Sequence, residues 1–165
     1  MLATAVAETE HDLSTATSPD KTYFAAARRV PDSEFVYRRD LDGFRLVVYA
    51  GAEVREIYAA HDFPGHCIAQ IAWSPDSQFL VFTTDSTGGH SPWHSPAFVF
   101  SVPDKSFRRM DDAIGSVLNP GKFRFIPPDV AVMGVHDPGA GGDTFHLRWT
   151  EVPLAKNVSE MPHVE

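Results

Sequence analysis

The sequence predicts an all-β fold, and three observations lead to that prediction. Valine occurs 16 times and phenylalanine 12 times against eight leucines, and β-branched and aromatic side chains pack well on the pleated surface of a sheet. Thirteen prolines and 11 glycines are spread along the 165 residues, which leaves little room for long helices. The third observation is an internal repeat, which also sets the order of the strands.

The repeat is marked by a Pro-Asp turn. Ser18-Pro19-Asp20 recurs as Ser74-Pro75-Asp76 and, more loosely, as Pro127-Pro128-Asp129, so the shared prolines are 56 and then 53 residues apart. Proline presets φ near about −65° for a turn, and serine or aspartate can hydrogen-bond the local backbone. We therefore expect the chain to turn at the same point of each copy.

Four strands, named a to d in chain order, are predicted for a complete copy. The b strands directly follow the turns and are continuous apolar runs, while the c strands alternate, which places every second residue on one face. The a strands precede the turns, and the d strands follow a tight turn after c. The predicted ranges are 68–73 and 122–126 for a; 23–27, 79–82 and 130–133 for b; 44–49, 98–102 and 145–149 for c; and 53–58 and 106–110 for d.

The chain thus reads b-c-d, a-b-c-d, a-b-c, which predicts a propeller-like stack of about two and a half four-stranded blades. A small β-barrel or sandwich of about ten strands is the alternative. Residues 18–155 are expected to form a single β domain, with 1–17 as an N-terminal segment and 156–165 as a C-terminal tail. Because open sheet edges are normally covered or paired, we expect residues 8–17 or the tail to supply the missing edge strands.

One stretch of the central copy is more specific than the rest. Residues 71–82 read Ile-Ala-Trp-Ser-Pro-Asp-Ser-Gln-Phe-Leu-Val-Phe, which resembles the Trp-Ser-Pro-Asp-Gly signature of TolB-type, WD40-like (PD40-like) propeller repeats. The resemblance extends over about residues 18–152 and implies propeller-type sheets. It implies no single activity, because such domains serve both as interaction platforms and as appendages of peptidases.

Composition and charge exclude several classes of function. With 14 Lys and Arg against 22 Asp and Glu, the net charge is −8, and without a basic stripe the chain is not expected to bind nucleic acid. No apolar run approaches the roughly 20 residues that a membrane span needs. Residues 5–7, Ala-Val-Ala, resemble the end of a secretory signal but lack its basic and apolar regions. A cytoplasmic location and export after signal removal both stay open.

Histidines offer one candidate site. His90 and His94 lie four residues apart in the predicted loop between strands b and c of the central copy, and His61 and His66 lie in the predicted loop between the first two copies. Converging histidines could hold a divalent metal such as zinc, although Pro92 argues against a helical pair. The sequence predicts no other cofactor and contains no complete catalytic motif, so no catalytic residue is assigned.

The loop tryptophan offers a second candidate site, because tryptophan is enriched where proteins bind each other. The predicted binding residues are Trp93, His90, His94, His136 and Asp137. The first hypothesis is therefore a non-enzymatic interaction domain that binds a protein or peptide through its loops. The alternatives are a metal-dependent enzyme or metal-binding protein with a His-lined pocket, and a self-assembly module whose open edges pair with other copies.

Overall fold

The structure, a computed structural model, describes residues 12–30, 43–51, 56–87, 93–140 and 146–164. The all-β prediction is confirmed. The described residues form eleven strands and two helices of four residues each. The strands are β1 (Asp12–Thr17), β2 (Tyr23–Val30), β3 (Gly43–Ala50), β4 (Ile57–Phe63), β5 (His66–Trp73), β6 (Phe79–Ser86), β7 (Ala97–Ser101), β8 (Ser106–Arg109), β9 (Phe123–Ile126), β10 (Val130–His136) and β11 (Leu147–Pro153); the helices are α1 (Asp111–Ile114) and α2 (Leu154–Asn157).

These strands form three separate antiparallel sheets. Sheet 1 has the order β1-β2-β3-β4, sheet 2 has β5-β6-β7-β8, and sheet 3 has β11-β10-β9. The expected edge strand before the first turn is confirmed, since β1 pairs with β2, and it raises the strand number from the predicted ten to eleven. No helix in the described part of the chain is long and apolar enough to cross a membrane.

Two predicted strands lie later in the chain than expected. The fourth strand of sheet 1 is β4, 57–63 rather than 53–58, and the last strand is β11, 147–153 rather than 145–149. Residues 52–55 and 145 lie outside the described residues. Among the described residues, β4 pairs with β3 from Ile57 to Phe63. Pro64 and Gly65 (φ 70°) then make the two-residue link to β5.

Sheet 2 is buried on both faces. Because successive side chains of a strand point to opposite faces, alternate residues of β6 and β7 contribute to two different cores. Those facing sheet 1 are Leu80, Phe82, Phe98 and Phe100. Those facing sheet 3 are Phe79, Val81, Ala97 and Val99. This two-sided burial explains why these strands read as continuous apolar runs rather than alternating ones.

The predicted Ser-Pro-Asp turns share the same internal hydrogen bonds. The Ser74 hydroxyl donates to the Asp76 carboxylate at 2.5 Å and accepts the Phe79 N–H at 3.0 Å. The hydroxyl of Ser18 makes the equivalent bonds at 2.6 and 2.9 Å. Burial alone would raise the pKa of the first turn's aspartate, Asp20, but bonds from Ser18 and Thr22 outweigh burial and lower it.

The turns also bond to one another from sheet to sheet. The Asp20 N–H donates to the Ser77 hydroxyl at 3.1 Å, and the Asp76 N–H donates to the Pro128 carbonyl at 3.1 Å. Lys21 and Ser77, the fourth residues of the first two turns, both have φ 62°, a region that favours glycine. The three turns therefore form a hydrogen-bonded row along the stack.

The C-terminal segment packs against sheets 2 and 3. The carbonyl and the carboxylate of Asp129 accept the N–H groups of Leu154 and Ala155 at 3.1 and 2.8 Å, which holds the start of α2 on the third turn. Leu154, Val158 and Met161 then fill the core between the two sheets. Beyond them, His163 forms a bridge to Arg108 on β8, so the predicted tail covers that edge of sheet 2.

Replacing the buried turn serine should destabilise the fold. Ser74→Ala leaves the buried Phe79 N–H without its acceptor, and we expect a loss of about 1–3 kcal/mol in the free energy of unfolding, measured by urea denaturation. Ser18→Ala should give a similar loss, since its bonds are the same. Ser159→Ala, at an exposed position, is the control and should change the stability by less than about 0.5 kcal/mol. Equal stability of all three variants would contradict the role given to the turns.

Candidate binding patch and histidine cleft

The structure brings several of the predicted binding residues together. The Trp93 ring packs against His94, with centroids 4.8 Å apart, and edge-on against His136 at 5.4 Å. Asp137 follows β10, and its carboxylate accepts the Gly139 N–H at 3.0 Å. His90 lies outside the described residues. These ring contacts hold Trp93 while 40% of its surface stays exposed.

Trp93 is supported by a hydrogen-bonded segment that reaches sheet 3. The Trp93 carbonyl accepts the Asn119 N–H at 3.1 Å, and the Leu118 N–H donates to the Gly134 carbonyl of β10 at 2.9 Å. Next to it, the Ser95 hydroxyl donates to the Asp85 carboxylate at 2.7 Å. The main chain carrying Trp93 is thus tied to both sheet 2 and sheet 3.

Two further apolar side chains lie on the outer face of sheet 3, which His136 shares with them. Residues directly opposite in an antiparallel pair share a face, and Leu147 of β11 lies opposite His136, while Trp149 lies opposite Gly134. Leu147 is 52% and Trp149 is 60% exposed. A Cβ on Gly134 would lie 2.5 Å from the Leu147 side chain, so the glycine makes room for it. Trp93, His136, Leu147 and Trp149 are called the apolar patch below.

The alternating pattern of 145–149 correctly places Leu147 and Trp149 on one face, but sequence reasoning did not identify them as site residues. The missing information was which face of sheet 3 would stay uncovered. One available signal was the absence of a predicted fourth strand in the third copy.

The predicted histidine site is only partly assembled in the described residues. His61 and His66 line one open cleft of about 380 Å³ together with His163, which sequence reasoning did not single out. The expectation that His61 and His66 lie in a loop is wrong, because they belong to β4 and β5 on either side of the Pro64-Gly65 link. His94 does not line this cleft. The described part of the chain contains no group of three or more His, Cys, Asp or Glu residues that could hold a metal, and with His90 outside it the four-histidine site stays a prediction.

The histidines of the cleft have defined surroundings. The His61 ring packs against Phe63 and Phe107, with centroids 5.0 and 5.6 Å apart, and burial lowers its pKa below the ordinary value of 6.5 although the neighbouring Asp62 opposes this. The His66 Nδ1 lies 3.2 Å from the Thr84 hydroxyl. The environment of His61 therefore favours the neutral imidazole.

Two acids line the cleft, Asp62 and Asp112, and an arginine holds the first of them. Asp62 accepts two hydrogen bonds from Arg45, at 2.5 and 3.0 Å, and these lower its pKa despite partial burial. Asp111, just outside the cleft, accepts the Ala97 N–H at 3.0 Å and the Arg109 Nε at 3.3 Å, while its burial raises its pKa. Such pairing suits a structural role more than metal binding, which needs carboxylates free to face the ion.

Comparison with known proteins does not narrow the function. No protein-family model matches this chain, and a comparison with curated proteins gave no match.

The neutral His61 predicts a pH-dependent stability. Below about pH 6.5 the unfolded chain protonates this histidine while the folded chain resists protonation, so the free energy of unfolding should fall as the pH drops from about 7.5 to about 5.5. His61→Gln should show a smaller fall, measured by urea denaturation at each pH. Pro162→Ala, a non-titrating change in the same cleft, is the control and should keep the wild-type slope. An unchanged slope in His61→Gln would contradict this assignment.

Proposed function

We propose that this protein is a non-enzymatic binding module that takes up a protein or peptide segment at the apolar patch. The main support for this proposal is that the exposed apolar side chains cluster in one place. Of the four large hydrophobic residues exposed in the described part of the chain, Trp93, Leu147 and Trp149 belong to this patch, and only Ile57 lies elsewhere, on β4. Contiguous exposed apolar groups of this kind mark interaction surfaces more often than isolated ones do.

The chemistry of the patch suits an anchor site. Two tryptophans offer large, rigid contact areas that cost little conformational entropy to bury, and tryptophan dominates binding energy at many interfaces. His136 adds a polar edge between Trp93 and Leu147. The patch thus combines apolar area with a group able to hydrogen-bond a ligand's main chain or side chains.

We further infer that the three sheets are propeller-type blades of the TolB-like, WD40-like kind. The support is the recurrence of the same turn with the same internal bonds, and the bonds that join successive turns. On this proposal, Trp93 lies in the connection between the second and third strands of the central blade. That position agrees with loops that serve as the binding face of such a module.

The binding proposal predicts a selective loss in two patch variants. Peptides selected from a displayed random library against the wild-type protein should bind Trp149→Ala and Trp93→Ala roughly 30-fold more weakly, since a hot-spot tryptophan contributes about 2 kcal/mol. Ile57→Ala removes an equally exposed apolar side chain from sheet 1 and should bind as the wild type does. Affinities are measured by fluorescence titration, and circular dichroism checks that each variant is folded.

Two results would contradict the proposal. One is a selection in which no peptide is enriched. The other is a set of peptides whose affinity depends on Ile57 rather than on Trp93 or Trp149.

Metal dependence and self-assembly, the two alternative functions, can each be tested separately. The metal-dependent alternative would centre on the cleft of His61, His66 and His163, and metal analysis of the untagged protein tests it. A content well below one ion per chain would remove it. Self-assembly through open edges predicts a mass that rises with concentration, and a monomer at every concentration would count against it.

A further inference from the structure

We propose that the open edge of β11 takes up an extended segment of a partner protein as an antiparallel fourth strand of sheet 3. This inference rests on the proposed function and specifies how the partner binds. Sheets 1 and 2 each have a fourth strand, β4 and β8, next to their third. In the part of the chain that the structure describes, no strand lies beyond β11, because the chain turns there into α2.

The register of β10 and β11 shows which main-chain groups face this edge. The Asp137 N–H donates to the His146 carbonyl, and the Leu154 N–H donates to the Asp129 carbonyl, at 2.9 and 3.1 Å. Both pairs follow the register that runs from Val130 opposite Pro153 to His136 opposite Leu147. Hydrogen-bonded and non-hydrogen-bonded pairs alternate in an antiparallel ladder. The even-numbered residues of β11 therefore bond to β10.

It follows that Leu147, Trp149 and Glu151 direct their N–H and C=O groups to the open edge. Their side chains all lie on the outer face of the sheet, where two of them belong to the apolar patch. Pro153 has no N–H and ends the series. An incoming strand thus meets three consecutive donor and acceptor pairs and the exposed tryptophan and leucine side chains at once.

The side chains of β11 specify the sequence that would pair best. Arg148 and Glu151 are exposed, and neither makes an ion pair with another described residue. The buried Thr150 hydroxyl has no hydrogen-bond partner in the described part of the chain. Opposite charges, threonine pairs and aromatic–β-branched pairs stabilise directly opposed positions. The favoured partner therefore has an acid opposite Arg148, a threonine opposite Thr150, a β-branched residue opposite Trp149 and a base opposite Glu151.

A second copy of the same chain fits this edge less well. In a two-fold antiparallel pairing of β11 with itself, outer-face residues must oppose outer-face residues. Arg148 and Glu151 lie on opposite faces and could never pair. Centring the pair on Trp149 would place the charged Glu151 opposite the apolar Leu147. Two copies would also repel each other, because each carries a net charge of −8. The chemistry of the edge thus favours a different chain, with complementary charges.

The test uses synthetic peptides and the whole 165-residue chain. Because the partner runs antiparallel, the probe contains Lys-Thr-Ile-Glu-Val, so that its lysine meets Glu151, its isoleucine meets Trp149 and its valine meets Leu147. The matched control, Glu-Thr-Ile-Lys-Val, has a different charge order and should bind about tenfold more weakly, since two favourable pairs become two like-charge pairs. The protein variant Arg148→Glu/Glu151→Arg should reverse this preference. Binding is followed by fluorescence anisotropy of the labelled peptides.

Methylation of single peptide nitrogens tests the main-chain bonds. The isoleucine opposite Trp149 would direct its N–H to β11, whereas the neighbouring glutamate would direct its N–H away. N-methylisoleucine should therefore abolish binding, while N-methylglutamate should leave it within about threefold of the parent peptide.

The outcomes separate this inference from the proposed function. Equal binding of both methylated peptides, with no reversal in the charge variant but a loss in Trp149→Ala, overturns strand addition and leaves the patch as the binding site. Binding that is unchanged in Trp149→Ala overturns both. A dimer that must dissociate before the peptide binds overturns the choice of partner, and absence of binding to either peptide overturns the inference.

Discussion

The two-sided burial of sheet 2 is the constraint on which the rest of the structure depends. One face of its central strands packs against sheet 1 through phenylalanine and leucine, and the other packs against sheet 3 through smaller side chains and Phe79. Sheet 2 therefore lies between the two cores, one shared with sheet 1 and the other shared with sheet 3. The row of bonded turns that runs through Ser77 and Pro128 then fixes how the sheets follow each other. Trp93 lies in the connection between β6 and β7 of this central sheet, and His66, the first residue of its strand β5, lines the cleft.

The last strands of sheets 2 and 3, β8 and β11, differ in whether another segment covers their open edge. The edge at β8 is accompanied by the C-terminal segment, whose His163 bridges to Arg108. The same segment places Leu154, Val158 and Met161 in the core between sheets 2 and 3. The edge at β11 has no such cover among the described residues, and two of its three outward side chains, Leu147 and Trp149, are apolar. An exposed apolar edge invites pairing with another strand. The C-terminal segment covers the edge at β8 and leaves the edge at β11 open, and the proposed binding site lies at that open edge.

Asp62 and His61, two titratable groups of the cleft, are paired or packed against neighbouring side chains. Arg45 holds Asp62 ionised, while the phenylalanines around His61 favour its neutral form. Three histidines meet there because β4, β5 and the C-terminal segment converge. The result is a histidine cluster at a place distinct from the apolar patch.

The sequence alone determined the all-β class, the repeat, the three turns and the positions of most strands, since turn chemistry and period-two alternation are local properties. It also placed Leu147 and Trp149 on one face and singled out Trp93 and His136. Only the tertiary structure decided that this face stays exposed, that β4 runs on to Phe63, and that His163 joins His61 and His66. Those outcomes depend on which distant segment covers which surface. A local pattern shows that two residues share a face, but burial of that face depends on contacts with residues far away in the chain.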